Sequence, residues 1–265
     1  MKKYRLKVQN DIIYLFILLA ITEFFNYLVL NTRGAGLTIT SGLGILLLET
    51  WFIRTFSLYS GKKISKYSDV LVRISLKDRF FSYFVLPLIF YLSILAFLYF
   101  NRNLLLGHVV LGICMVLFLI LFLNVKSSLN KIYSVANATR AIFDFICITI
   151  LYLLTNIFVR VGLSMMIFAL ILFVTSFVLL LFSLKLHRKL GLMEIFISLL
   201  SSVFIACFTI IFWSTNIFVI PLVAALGFYL VISIWNIRFS GKIHLVDYFL
   251  PILYVVLALI LILTI

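Results

Sequence analysis

The chain has 265 residues, of which 65% are hydrophobic and only 11% are charged, and its mean hydropathy is +1.29. Soluble domains carry about 25% charged residues, so this composition excludes a water-soluble globular protein. The 22 Lys and Arg residues exceed the 8 Asp and Glu residues and leave a formal charge of +14. With three Cys and three Pro, a disulfide scaffold and a collagen are excluded as well. The composition indicates a protein embedded in a membrane.

Nine stretches of about 20 mostly apolar residues are long enough to cross the roughly 30 Å hydrocarbon core of a bilayer. Each is predicted to be a helix, because lipid offers backbone groups no hydrogen-bond partner outside the segment itself. We therefore predict an all-α, polytopic protein with one transmembrane domain over residues 1–265, built from four hairpins and a final span. The predicted spans are approximately 12–31, 36–54, 80–100, 104–124, 141–159, 163–184, 194–213, 217–235 and 246–265.

The basic residues predict the orientation of these spans. The N-terminal tail and the four even-numbered loops contain 19 of the 22 Lys and Arg residues. Because basic loops stay on the cytoplasmic side, we expect a cytoplasmic N-terminus and a C-terminus outside the cell. The richness in Ile, Phe, Lys and Asn, with little Ala, is typical of an AT-rich bacterial genome, so the plasma (inner) membrane is the expected location.

Five acids stand at the predicted cytoplasmic starts of the odd-numbered spans. A carboxylate at that position caps free N–H groups and faces the positive end of the helix dipole. We expect capping, and the alternative is a ring of acids around a cytoplasmic vestibule. The five are Asp11, Asp78, Asp144, Glu194 and Asp247.

Residues 147–159 align with residues 207–219 at an offset of 60, with 8 of 13 positions identical. A duplicated hairpin keeps its orientation, so residues 141–184 and 201–235 would form a parallel internal repeat, as in some transporters. The alternative is chance similarity between apolar segments drawn from few residue types.

Two acids, Glu23 and Glu49, fall inside predicted spans, where ionisable side chains are costly and typical of functional sites. Glu23 lies about 18 Å from the cytoplasmic end of its helix, near the midplane. Asn26 and Tyr27 follow it at helical spacing, on the same face. Glu49 lies about 7 Å from the cytoplasmic end of the second span. Glu23 is interpreted either as a proton or cation relay or headgroup ligand, or as a protonated residue that holds the first two helices together.

The segment 55–79 has apolar residues at steps of three and four and basic residues on the opposite face. This pattern predicts an amphipathic helix on the inner leaflet, with its cations against anionic lipids, and the alternative is a solvated connector. The lipid-facing cations would be Lys62, Lys66, Arg73 and Lys77.

Each of the first, third and fifth loops, on the predicted outer side, contains one arginine: Arg33, Arg102 and Arg160. These side chains are candidates for binding an anionic substrate. The alternative is that they extend to lipid phosphates at the membrane surface.

The sequence has no Walker loop, no His-Glu-x-x-His and no Gly-x-Ser-x-Gly. None of His108, His187 and His244 has a second ligand at the spacing of a helical metal site. No catalytic residue, metal, cofactor or nucleic-acid partner is therefore predicted, and the expected partners are the bilayer, its anionic lipids and another membrane protein. The composition favours a non-enzymatic, transporter- or permease-like subunit. The alternatives are an enzyme or carrier that acts on a lipid-linked substrate, and a membrane assembly scaffold.

Overall fold

The computed structural model describes residues 2–31, 34–59, 80, 84–101, 103–130, 136–187, 191–240 and 245–264. In this part of the chain the protein is all-α. Its helices are α1 (Lys2–Asn31), α2 (Ala35–Tyr59), α3 (Leu86–Phe100), α4 (Leu104–Asn130), α5 (Ala136–Arg160), α6 (Met165–His187), α7 (Leu192–Ile210), α8 (Val219–Ser240) and α9 (Leu245–Thr264).

Eight of these helices are long and apolar enough to cross a membrane, and α3 is a shorter apolar helix. The predicted all-α, multi-pass fold with about nine helices is thereby confirmed. The third span differs in length, because a π-helical turn at Phe84 and Val85 precedes the regular α-helix. Pro87 lies in the first turn of that helix, where its missing N–H leaves no helical hydrogen bond unmade. The 15 residues of α3 rise about 22 Å.

The chain forms two compact units, residues 1–142 and residues 143–265. In the first unit, α1 packs against α2, α3 and α4. Aromatic side chains fill the core between these helices. Trp51 of α2 stacks on Phe122 of α4 with ring centroids 3.8 Å apart, and Phe90 of α3 lies 4.7 Å from Phe118 of α4.

The second unit begins within α5 and contains α6 to α9. In this unit α7 packs between α6 and α8, and α9 packs on α8. Phe168 of α6 contacts Trp213, which follows α7, with ring centroids 4.8 Å apart. Most large apolar side chains of α9 are exposed. Such a surface is incompatible with water over this length and is typical of a helix that faces lipid.

The predicted capping role is right for Glu194 and wrong for Asp11 and Asp144. The carboxylate of Glu194 accepts a hydrogen bond of 2.9 Å from the backbone N–H of Gly191, immediately before α7. Asp247 lies in the first turn of α9, as expected, and Asp78 lies outside the described residues.

Asp11 and Asp144 lie within helices because α1 and α5 begin well before the apolar spans, at Lys2 and Ala136. No acidic residue lies in the first turn of either helix. The residues before Asp11 include four Lys and Arg, and those before Asp144 include three Ala and Arg140. These residues are good helix formers, so each helix continues beyond the apolar stretch.

The two halves of the predicted repeat differ in local structure. Thr155 and Asn156 are buried within α5, whereas Thr215 and Asn216 lie in the turn that follows α7. The first copy therefore stays helical where the second has already left its helix. The duplication stays a sequence-based prediction.

Candidate functional site

The first unit contains both intramembrane glutamates, Glu23 on α1 and Glu49 on α2. A buried contact defines their relative depth. The hydroxyl groups of Thr22 and Tyr91 are 3.2 Å apart, and the ring of Tyr91 lies directly against Gly44 of α2. Glu23 is next to this layer, whereas Glu49 lies five residues past Gly44, about 7 Å along the helix axis. The two carboxylates are therefore on successive levels of one helical unit and do not form a pair.

Glu23 is paired with a histidine of α4. Its Oε1 atom lies 3.0 Å from Nδ1 of His108, and the two side chains are 37% and 46% exposed, respectively. The pair is an ion pair when the imidazole is protonated and a hydrogen bond otherwise. Sequence reasoning expected Glu23 to bond within the first hairpin. The structure gives it a partner on a helix that begins more than 70 residues after α1 ends.

The residues predicted to share the face of Glu23 separate in the structure. Asn26 is buried, and its side-chain amide lies near Gly107, the residue before His108. Tyr27 is 61% exposed. The α1–α4 interface therefore combines one buried amide with one partly exposed carboxylate–imidazole pair.

Glu49 lines a cleft of about 560 Å³ between α2 and the start of α3. The other described lining residues are apolar except for Ser57: Ile53, Phe56, Ser57, Phe80, Phe84, Val85 and Leu88. Among the described residues, the buried Oε1 atom of Glu49 has no hydrogen-bond partner. Among the described residues, Glu49 is therefore the one charged side chain that lines the cleft, and its Oε1 atom is buried beneath the cleft surface.

Three aromatic rings form one side of this cleft. The rings of Phe80 and Phe84 stack with centroids 5.7 Å apart, and Phe56 meets Phe84 edge-on at 6.2 Å. Sequence reasoning named Glu49 but missed these rings. Phe80 and Phe84 are four residues apart, the spacing that places two side chains on one helical face, and this signal was present in the sequence.

The three outer arginines are described only in part, since Arg33 and Arg102 lie outside the described residues. Arg160 ends α5, and its Nε atom donates a hydrogen bond of 2.6 Å to Oδ1 of Asn156. Its guanidinium also lies over the ring of Phe218, 5.7 Å from the centroid. The predicted lipid-surface cations Lys62, Lys66, Arg73 and Lys77 lie outside the described residues as well.

Asp144 is a buried carboxylate in the second unit that sequence reasoning placed at a helix start. Its Oδ1 atom accepts a hydrogen bond of 2.5 Å from Ser183 of α6, and its Oδ2 atom accepts one of 3.0 Å from Asn236 of α8. One side chain therefore joins three helices. Nothing in the spacing of these residues along the chain indicates that they meet.

The described residues contain no group of three or more His, Cys, Asp or Glu side chains that could hold a metal ion. In the same part of the chain, Cys114, Cys147 and Cys207 are free thiols. No protein-family model matches this sequence, and comparisons with curated proteins and with solved structures find no similar protein.

Proposed function

We propose that this multi-pass membrane protein is a non-enzymatic, permease-like subunit that couples the movement of a small solute to protons. The observation that carries the proposal is the position of two carboxylates in one helical unit. Glu23 has an imidazole partner, His108, and Glu49 lines a cleft one level away. A relay needs a group that exchanges protons, and a permease needs a separate place for the solute.

The proton step is assigned to Glu23 and His108. Imidazole is the side chain whose charge changes most readily between pH 5 and 8, and an adjacent carboxylate responds to that change. When the imidazole takes up a proton, its contact with the carboxylate becomes an ion pair, which strengthens the contact between α1 and α4. Proton binding at one level would then alter the packing around Gly44 and Tyr91 that separates this pair from Glu49.

The proposed orientation follows the distribution of basic residues, of which 19 of 22 lie in the N-terminal tail and the even-numbered loops. The N-terminus is then cytoplasmic, in a bacterial plasma membrane. In that orientation the Glu23–His108 pair lies toward the outer side and Glu49 toward the cytoplasm. A proton from outside would reach the Glu23–His108 pair first and would affect the cleft only through that pair.

The test uses the full chain reconstituted in liposomes with an imposed inward proton gradient. The probe is a small-molecule extract of bacterial cells, and mass spectrometry identifies the compounds that accumulate inside. We expect gradient-dependent accumulation of at least one compound with the wild type and its loss in Glu23→Gln. The control is Asp247→Asn, an exposed acid at the start of α9, which should accumulate the same compound.

Two outcomes would contradict the proposal: accumulation no greater than in protein-free liposomes, or equal accumulation by Glu23→Gln and the wild type. The alternative functions predict other results. An enzyme or carrier for a lipid-linked substrate should lose its lipid-linked product when Arg33, Arg102 and Arg160 are all changed to Ala. An assembly scaffold should keep its membrane-protein partner when Glu23 is changed to Gln.

A further inference from the structure

We infer that the cleft beside Glu49 is a binding site for a hydrophobic organic cation, that is, an amine or quaternary ammonium or phosphonium group carried on an apolar body. The inference stands on the lining of the cleft and is independent of the proposed transport activity. It concerns binding at equilibrium, for which no gradient is needed.

The first reason is the state of the Glu49 side chain. Its Oε1 atom is buried and lacks a hydrogen-bond partner among the described residues. A buried acceptor without a partner is destabilising, and an unpaired carboxylate in a membrane span is more so. A ligand with a positive charge or an N–H donor would remove that destabilisation once the Glu49 side chain turns its carboxylate into the cleft. An anionic or purely apolar occupant does not.

The second reason is the aromatic wall. Phe56, Phe80 and Phe84 lie together along one side of the cleft, with neighbouring ring centroids 5.7 and 6.2 Å apart. The faces of aromatic rings attract cations, and the attraction is strongest where water is excluded. A carboxylate facing a group of rings is the combination that recognises a delocalised or alkylated cation. The same rings and Leu88 offer contact to an apolar body.

The third reason is the charge of the surroundings. Among the described residues that line the cleft, Glu49 is the only charged side chain. The nearest basic residue along α2 is Arg54, whose Nη1 atom lies 3.3 Å from the hydroxyl of Tyr14 on α1. The guanidinium of Arg54 is therefore held at the other helix, and Glu49 is the charge that the described residues bring to the cleft. The volume of about 560 Å³ lies within the usual range for small-molecule sites, roughly 300–1,000 Å³.

The experiment compares two ions of the same shape and opposite charge. Tetraphenylphosphonium and tetraphenylborate are each titrated onto the full chain in lipid nanodiscs, and binding to empty nanodiscs is subtracted. We expect saturable, protein-dependent binding of the phosphonium and none of the borate. Glu49→Gln, which keeps the size of the side chain and removes its charge, should weaken phosphonium binding about tenfold or more.

Two further variants separate the contribution of the Glu49 charge to binding from that of the Phe84 ring. Glu49→Asp keeps the charge and should bind the phosphonium more tightly than Glu49→Gln does, a difference that identifies the carboxylate. Phe84→Leu keeps the apolar wall and removes one ring face, and should weaken binding by about three- to fivefold. Unfolding temperatures of all variants, measured in the same nanodiscs, identify any loss that is due to misfolding.

Glu23→Gln is the matched control, because Glu23 is the other intramembrane acid and lies outside the cleft. It should bind the phosphonium like the wild type, although the proposed function requires it to lose uptake. The binding measurement therefore tests the cation site, and the uptake measurement tests the proposed transport function, so that one can fail without the other. Equal binding of both ions, or unchanged phosphonium binding by a folded Glu49→Gln variant, would show that the cleft is an apolar lipid pocket and would overturn the inference.

Discussion

At the residue scale, the closest approach in the first unit depends on a glycine. A Cβ atom at Gly44 would overlap the phenol group of Tyr91, which is itself fully buried and bonded to Thr22. Small residues recur on α2 at intervals of four, at Gly36, Thr40 and Gly44, and such a pattern allows close helix contact. The structure places the contact of Gly44 on α3. A glycine pattern predicts that a helix is approached closely, but does not specify which neighbour approaches it.

This contact gives a sharp prediction for stability. Gly44→Ala inserts a methyl group where Tyr91 has no room to move, and should lower the free energy of unfolding by about 1–3 kcal/mol. The matched control is Gly42→Ala on the same helix, because nothing lies within 4 Å of a Cβ atom built there. Thermal unfolding of both variants in one detergent checks the difference. A Gly44→Ala protein as stable as Gly42→Ala would contradict the packing described here.

At the element scale, the helices of the second unit are joined by a polar contact inside an apolar environment. Asp144 of α5 accepts hydrogen bonds from Ser183 of α6 and Asn236 of α8. The prediction of a helix cap failed because the helix boundary was taken from hydropathy. Hydropathy marks the start of the apolar stretch and not the start of the helix.

We expect Asp144→Ala to lower the free energy of unfolding by about 1–3 kcal/mol, since Ser183 and Asn236 each lose the acceptor Asp144 provides. The stability of Asp144→Asn should lie between that of Asp144→Ala and that of the wild type. Asparagine keeps one acceptor oxygen but places an amide donor opposite the donor of Asn236. Unfolding in detergent, followed by circular dichroism, measures the series. The control Asp247→Ala removes an exposed acid and should change stability by no more than about 0.5 kcal/mol. Equal stability of Asp144→Ala and Asp247→Ala would exclude a joining role for Asp144.

At the scale of the whole molecule, the distribution of charge predicts which face is cytoplasmic. Of the 22 basic residues, 19 lie in the N-terminal tail and in alternate loops. A C-terminal fusion to alkaline phosphatase should therefore be active, because that enzyme folds only outside the cytoplasm, and a C-terminal fusion to green fluorescent protein should be dark. Truncation after α6, at His187, should reverse both signals. The opposite pattern would contradict this topology, either because the N-terminus lies outside or because α3 does not cross the membrane.

The sequence by itself determined the membrane class and the number and approximate positions of the helices. The hydropathy and charge of a segment determine its interaction with the bilayer independently of the other segments. Spans and their orientation can therefore be predicted without knowing which helices pack together. Glu23 and Glu49 could likewise be selected from the sequence, because an acid within an apolar span is recognised without knowing which helices that span contacts.

Only the tertiary structure decided what those residues contact. The pairing of Glu23 with His108, the position of Tyr91 against Gly44 and the joining of three helices by Asp144 all depend on which helices are neighbours. The 85 positions between Glu23 and His108 have no local pattern that brings the two together. Helices in lipid associate through packing and a few polar bonds, because hydrophobic burial does not distinguish one apolar face from another. The neighbours are therefore set by the fit of particular side chains in three dimensions.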